Sequence, residues 1–357
     1  MRQADLNDHA VATAGDPHQI IWGMTSAERA RRLIAQETAK HPVTAGCTLH
    51  INLDYAFDPL LMRLALRMPG TQFVHGAEPV IGQWADAPQR TIDLAGSPSF
   101  YNEQLRKTET PFAMRLTPQT RYAIEKASYY GAYKGVTDIL TKYLWPELAF
   151  HLTRLAAMLK MTPNMVTGIG AAFCIIATIL FYQGQFWAGV ACGFAFMVLD
   201  TVDGKLARCT ITSSKWGNVF DHGIDLLHPP FWYFAWGIGL QSAGLALAPA
   251  TFAVLMGVIV AGYIVQRLFE GIFLKTVRMD MHTWRPFDSW FRLITARRNP
   301  NMVLLVASLV FARPDLGLIA VAWWTVASLA VHAVQLIQMV AARRRGEEIR
   351  SWLEQAA

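Results

Sequence analysis

D-T-V-D-G-K-L-A-R-C-T-I-T-S-S-K-W-G-N-V-F-D-H-G-I-D, residues 200–225, carries four carboxylates, Asp200, Asp203, Asp221 and Asp225, between long apolar runs. Charged groups beside a membrane are costly, so acids in such a place mark function. On a helix, positions three and four apart share a face. Asp200, Asp203 and Ala207 therefore form one stripe, and Gly217, Asp221 and Asp225 another. Two helix ends packed on these stripes would bring four carboxylates together. Their repulsion calls for cations, and an oxygen-only donor set suits Mg²⁺ or Mn²⁺ rather than Zn²⁺. Gly204, Ala207 and Gly217 allow close approach of a backbone or a flat ligand. Arg208 offers a forked donor set suited to phosphate.

Outward from this stretch, the chain of 357 residues is long enough for two domains. Apolar residues make up 53%, while mean hydropathy is only +0.24, which suggests a soluble part joined to a membrane part. The first fifteen residues are polar and lack a signal-peptide pattern, so the N-terminus is expected in the cytoplasm. Cys47, Cys174, Cys192 and Cys209 show no metal-ligand spacing. A net charge of +6 fits membrane orientation better than nucleic-acid binding.

Residues 161–345 read as a helical membrane domain. Candidate spans are Asn164–Tyr182, Phe186–Leu199, Phe220–Leu240, Ala248–Phe269, a short one over Met302–Ala312, and Leu316–Met339. With six spans, the basic segments fall on one side: Lys205, Arg208 and Lys215, then Lys275 through Arg298, then Arg343–Arg345. That side is the cytoplasm by the positive-inside rule, and the acids share it. Both termini are then cytoplasmic, with 346–357 as a tail of a multi-pass inner-membrane protein.

Residues 1–120 read as a small α/β domain. Thr25 and Glu28 form a T-x-x-E capping box before a helix, and Asp58-Pro59 opens a second. Strands are expected over 19–22, 47–53, 71–75 and 79–84. Residues 121–160 mix Lys134, Lys142, Arg154 and Lys160 with Tyr143, Leu144, Trp145 and Phe150, as interfacial helices do, with a break near Pro146.

The eight positions Asp200, Asp203, Gly204, Ala207, Arg208, Gly217, Asp221 and Asp225 match D-x2-D-G-x2-A-R-x8-G-x3-D-x3-D. By that signature the chain resembles the CDP-alcohol phosphotransferase family. The resemblance implies a six-helix membrane fold and transfer of a substituted phosphate group from a CDP-linked donor to a lipid or alcohol acceptor, with release of CMP. It also implies two Mg²⁺ or Mn²⁺ ions per site, on Asp200, Asp203, Asp221 and Asp225, with Asp225 as catalytic base. Gly204, Ala207, Arg208 and Gly217 fall to the CDP site, as do Asn164 and Thr167 of P-N-M-V-T. Transfer is expected to be direct and in-line, and a homodimer is common in the family. Arg297 and Arg298 are candidates for an acceptor phosphate, against simple anchoring to membrane lipids. His222 and His228 lie near the acids, and Trp232, Tyr233 and Trp236 read as an aromatic belt.

Lys205, Thr210, Ser213, Ser214, Phe220, His222 and Gly223 resemble the choline/ethanolamine branch. The competing branch takes CDP-diacylglycerol and a soluble inositol or glycerol phosphate. The first domain leans toward that second branch, because I-I-W-G-M-T-S-A-E-R and Asp54 faintly resemble a nucleotidyltransferase domain, degenerate because it lacks the glycine-rich phosphate loop. A cation transporter built on the acidic cluster is the reading from another class.

Overall fold

The structure is a computed structural model that describes residues 11–355. The first domain holds β1 (Val11–Ala14), β2 (Ile20–Ile21), β3 (Met24–Thr25), α1 (Ser26–Thr38), β4 (Thr48–Asn52), β5 (Tyr55–Phe57), α2 (Pro59–Arg67), β6 (Thr71–His75), β7 (Glu78–Trp84) and β8 (Arg90–Asp93). Three short strands follow, β9 (Phe100–Asn102), β10 (Lys107–Glu109) and β11 (Ala113–Arg115). The main sheet has the order β1-β4-β7-β6-β8. It is mixed: β1 and β8 pair parallel with their neighbours, and β7 runs antiparallel to β4 and β6. Leu33, Leu49, Leu61, Phe73 and Ile81 fill the space between sheet and helices.

The local signals act as their chemistry requires. Thr25 accepts from the Glu28 amide, and Asp58 accepts from the Leu60 amide, each satisfying an orphan helix donor. Only half of the expected capping box forms, because the Glu28 carboxylate turns to Arg31 and Arg32. The expected strand at 19–22 shrinks to a two-residue arm, since the chain reverses at Trp22-Gly23 to pair β2 with β3. Asp54 caps a strand end, accepting from the Asp16 amide at 2.8 Å.

The connector contains α3 (Arg121–Gly131), a π-helical turn at Leu140–Leu144, and α4 (Pro146–Met158), which starts at the proline expected to break it. Ala149, Phe150, Thr153 and Ala157 are buried, while Leu148, Leu155, Met158 and Leu159 are exposed. That two-sided apolar character suits a helix lying between a protein and a lipid surface. Arg154 does not point outward to phosphates as expected. It pairs with the buried Glu125 at 2.8 Å, since a buried carboxylate needs a partner.

Six helices then pack as a bundle: α5 (Pro163–Tyr182), α6 (Phe186–Cys209), α7 (Lys215–Gly239), α8 (Pro249–Val277), and, after the short α9 (Pro286–Phe291), α10 (Arg298–Val310) and α11 (Pro314–Arg344). Among the described residues, α5, α6, α8 and α11 are long and apolar enough to cross a membrane. α10, with 13 residues, spans about 20 Å and is short for a bilayer core of about 30 Å. α7 is 25 residues long but carries acids in its first half. The outer faces expose Ile175, Ile176, Val254, Leu268, Trp323 and Ile337. Apolar belts of that kind are stable against lipid rather than water.

The first domain and the C-terminal segment meet at one end of the bundle. Arg343 donates to the Thr276 carbonyl at 3.1 Å, bringing the ends of α8 and α11 together. Arg106 of the first domain pairs with Asp280 at 2.8 Å, and Thr108 donates to the Leu353 carbonyl at 2.5 Å. The first domain and the bundle also share one apolar core, running from Ile21, Trp22 and Met24 through Ile124 and Phe150 to Val202, Leu206 and Trp232.

Candidate active site

The last turns of α6 carry Asp200 and Asp203, and the first turns of α7 carry Asp221 and Asp225. Ser214 caps α7 by accepting from the Gly217 amide at 3.0 Å, so the two acidic stripes start from a defined turn. Asp200, Asp221 and Asp225 each place one carboxylate oxygen within 4.8 Å of the others. Asp203 is 3% exposed; its Oδ2 accepts from Thr167 Oγ1 at 2.5 Å, while its Oδ1 has no partner. A buried carboxylate oxygen left unpaired near the Asp200, Asp221 and Asp225 cluster fits a hard divalent cation, and those carboxylates offer oxygen ligands. The donor set therefore suits the expected Mg²⁺ or Mn²⁺.

One protein cation already serves the cluster. Arg298, the first residue of α10, donates to Asp225 at 2.6 Å and to Asp200 at 2.7 Å. Its guanidinium also lies 4.8 Å from the Phe196 ring centre. Arg298 thus pairs with the carboxylate cluster and also lines the second cavity. Arg297 pairs with Glu270 at 2.6 Å.

Two cavities border the acids, one touching Asp203 and Asp221 and the other Asp225. The first, of about 450 Å³, is lined by Asn164, Thr167, Asp203, Gly204, Ala207, Gly217 and Asp221, which are most of the residues expected there. Its wall is low because the side chains are small. A Cβ on Gly217 would meet Asn164 Oδ1 at 2.9 Å, so a larger residue there would push the Asn164 side chain aside. Arg208 does not line this cavity. Its guanidinium lies behind Gly204, where a Cβ on that glycine would meet Nη2 at 3.2 Å.

The second cavity, of about 530 Å³, takes in Asp225, Arg297 and Arg298. It also gathers Arg106, Lys134, Arg267 and Arg292, with Asp138, Glu270 and Asp280 among them. Arg292 Nη1 and Arg267 Nη2 are buried without a hydrogen-bond partner among the described residues. Crowding by surrounding protein atoms, then the cations Arg106, Arg208 and Arg292, lower the Lys134 ammonium to about 8 although the side chain keeps solvent contact. Burial and then the neighbouring Arg297 pull Arg292 down to about 9. Burial works against the charge of Asp138, but Arg292 and the Thr141 amide hold its carboxyl below the usual range. This is a pocket built for negative charge.

Glu270, His282 and His332 also come within 4.8 Å of one another. Arg267 and Arg297 already sit on Glu270, at 3.0 and 2.6 Å, so its charge is met by protein cations.

Several expected roles are corrected. Trp232, Tyr233 and Trp236 form neither belt nor substrate box. They are buried and bonded to the Cys174 carbonyl, to Asn301 and to the Pro314 carbonyl. Lys205 is not a surface cation: it is 2% exposed, with Nζ 2.8 Å from the Tyr133 ring centre. His228 packs between Phe196 and Trp232, its Nδ1 2.7 Å from the Ile224 carbonyl, so it has a packing role. His222 is exposed, lines the second cavity and lies 3.8 Å from Asp221. The pattern-based reading missed Lys134, Arg267 and Arg292. Their common sign was legible, but their convergence was not.

Comparison with known proteins agrees with this geometry. Residues 160–295 match the sequence model of the CDP-alcohol phosphatidyltransferase family. Over 117 residues the chain is 39% identical to choline/ethanolaminephosphotransferase 1 of Arabidopsis thaliana, covering 29% of this chain and 30% of that one. It is 37% identical over 99 residues to cholinephosphotransferase 1 of Mus musculus, covering 24% and 25%. It is 36% identical over 108 residues to archaetidylinositol phosphate synthase of Pyrococcus horikoshii, covering 30% and 55%. The chain thus spans between a quarter and about half of the length of these relatives. Two of these relatives are named as phosphotransferases of choline or ethanolamine, and the third as a synthase of archaetidylinositol phosphate. Residues 160–295 are thus similar to the CDP-alcohol phosphatidyltransferase family.

Proposed function

We propose that the protein is a membrane transferase of phospholipid synthesis. It moves a substituted phosphate group from a CDP-linked donor to an alcohol and releases CMP at the cytoplasmic face. The observation that carries this reading is a carboxylate cluster standing between two unlike cavities, with Asp203 and Asp221 on one and Asp225 on the other. A donor diphosphate in the first cavity and an alcohol in the second would converge on the acids that border both, which holds the reacting groups in proximity. Asp200, Asp203, Asp221 and Asp225 would hold Mg²⁺ or Mn²⁺, which when bound neutralises diphosphate charge and stabilises CMP as leaving group. Asp225, on the alcohol's side, takes the hydroxyl proton as the oxygen attacks. Arg298 orients Asp225 and Asp200. Asn164, Gly204, Ala207 and Gly217 leave room for the nucleotide, and Thr167 positions Asp203.

The cations of the second cavity support an acceptor that carries its own phosphate, with Arg292, Arg267 and Lys134 beside the expected Arg297. CDP-diacylglycerol would then be the donor, entering from the bilayer. The matches to cholinephosphotransferases favour the other branch, in which a small CDP-alcohol meets diacylglycerol. A transporter would place its acids near the bilayer midplane, whereas these sit at the bundle end that also carries the first domain.

CMP release by the purified full-length protein in lipid, with Mg²⁺ or Mn²⁺, tests the reading. CDP-diacylglycerol with inositol phosphate or glycerol phosphate is one arm, and CDP-choline with diacylglycerol the other. Release in one arm that is lost in Asp225→Asn supports the reaction and chooses the branch. No release in either arm by metal-loaded protein overturns it.

A further inference from the structure

We infer that the first domain is part of the nucleotide site, and that Arg32 binds the nucleoside end of the donor. The inference rests on the reading of the first cavity as the nucleotide cavity. Four residues of the first domain, Trp22, Gly23, Met24 and Arg32, line that cavity opposite Asp203, Gly204 and Ala207.

The wall they form is rigid. Trp22 and Gly23 both adopt positive φ, 52° and 73°, so the chain folds back sharply between β2 and β3. A Cβ on Gly23 would meet the Ala157 carbonyl at 3.0 Å, which places this corner directly on the end of α4. Trp22 is 2% exposed; its amide donates to Glu125 at 3.1 Å and its indole to Ser128 at 3.3 Å. Burying such side chains contributes about 2 kcal/mol each, so the corner is held by the shared core and not by a mobile linker.

Arg32 projects from α1 beside this corner. Its Nε donates to Glu28 at 2.7 Å and its Nη1 to the Thr210 carbonyl at 2.8 Å, which fixes the plane of the guanidinium. Nη2 has no hydrogen-bond partner among the described residues, and the side chain is 33% exposed. Thr210 lies seven residues beyond Asp203 along α6, or about 10 Å at the helical rise. Arg32 therefore faces the end of the cavity away from the acids, where a nucleoside would lie once its phosphates sit at the carboxylates. Cytosine presents two acceptors, O2 and N3, on one edge, and the free Nη2 can donate to them. Uracil carries a hydrogen at N3 and would set a donor against a donor.

The test uses the full-length protein in lipid nanodiscs with Mn²⁺, and reads CMP and UMP binding by calorimetry beside donor and acceptor KM. Arg32→Gln is expected to weaken CMP binding and raise donor KM about tenfold, the size of one charge-assisted hydrogen bond, with kcat and acceptor KM unchanged. Arg32→Lys should recover part of the affinity, and the preference for CMP over UMP should shrink in Arg32→Gln. A general loss of folding would instead lower kcat and disturb acceptor KM, and such a pattern overturns the assignment. So does unchanged CMP affinity in Arg32→Gln. Absence of CMP binding by the wild-type protein would overturn the nucleotide cavity itself, and with it both readings.

Discussion

The two cavities beside the carboxylates are similar in size and opposite in character. The first is walled by small residues, Gly204, Ala207 and Gly217, with a rigid aromatic corner at its far end. The second is walled by long cations, Arg267, Arg292, Arg297 and Lys134. Small walls select by shape, because a flat group needs room and close backbone approach. Cationic walls select by charge, because each guanidinium that enters a low-dielectric pocket unpaired is costly until an anion arrives. Under the proposed function, one site would hold two unlike substrates without confusing them, with the acids bordering both.

Four experiments break or sharpen this contrast. The largest effect is expected at the shared acids. Asp225→Asn should lower kcat by roughly 10²–10⁴ while donor binding survives, and chelation of divalent ions should abolish turnover, both read as CMP release. Gly204→Val comes next. Its added carbons would meet Arg208, so donor KM should rise by tenfold or more with acceptor KM unmoved. An equal rise in both constants would show that the cavities are not separate.

Arg292→Gln should act in the mirror sense, raising acceptor KM about tenfold and leaving donor KM in place. Added salt should mimic it only weakly, since the group is buried. The smallest effect concerns pH. Surrounding protein atoms and neighbouring arginines hold the solvent-touching Lys134 near 8, so the second cavity loses a charge as pH rises through about 8. Acceptor KM should increase about twofold to threefold over that step, and Lys134→Arg should remove the inflection. Stability should move the other way. The unfolded lysine keeps its proton up to its higher ordinary pKa, so between about 8 and that value rising pH favours the folded state. A flat acceptor profile would separate Lys134 from acceptor binding.

Much of the site was legible because it is local. Asp200 with Asp203, and Gly217 with Asp221 and Asp225, are separated by one helical turn, and helical period alone puts them on common faces. Thr25 and Asp58 announced their helix starts because capping is a contact within three residues. The spans α5, α6, α8 and α11 could be read from length and apolarity, because lipid imposes both. α10 was harder, since a short helix buried among others leaves only a weak hydropathy signal.

What only the tertiary structure decided involves residues far apart in sequence. Arg32 reaches the Thr210 carbonyl, and Arg298 spans Asp200 and Asp225. Lys205 turns inward onto Tyr133, and Trp232 joins the core. No periodicity encodes such pairings, because each depends on how whole helices and the first domain pack. The sequence by itself determined the identity and spacing of the acids, through the fixed geometry of a helical turn. Packing decided that these acids would have two faces, one small-walled and one cationic, because only packing sets which distant side chains close a cavity.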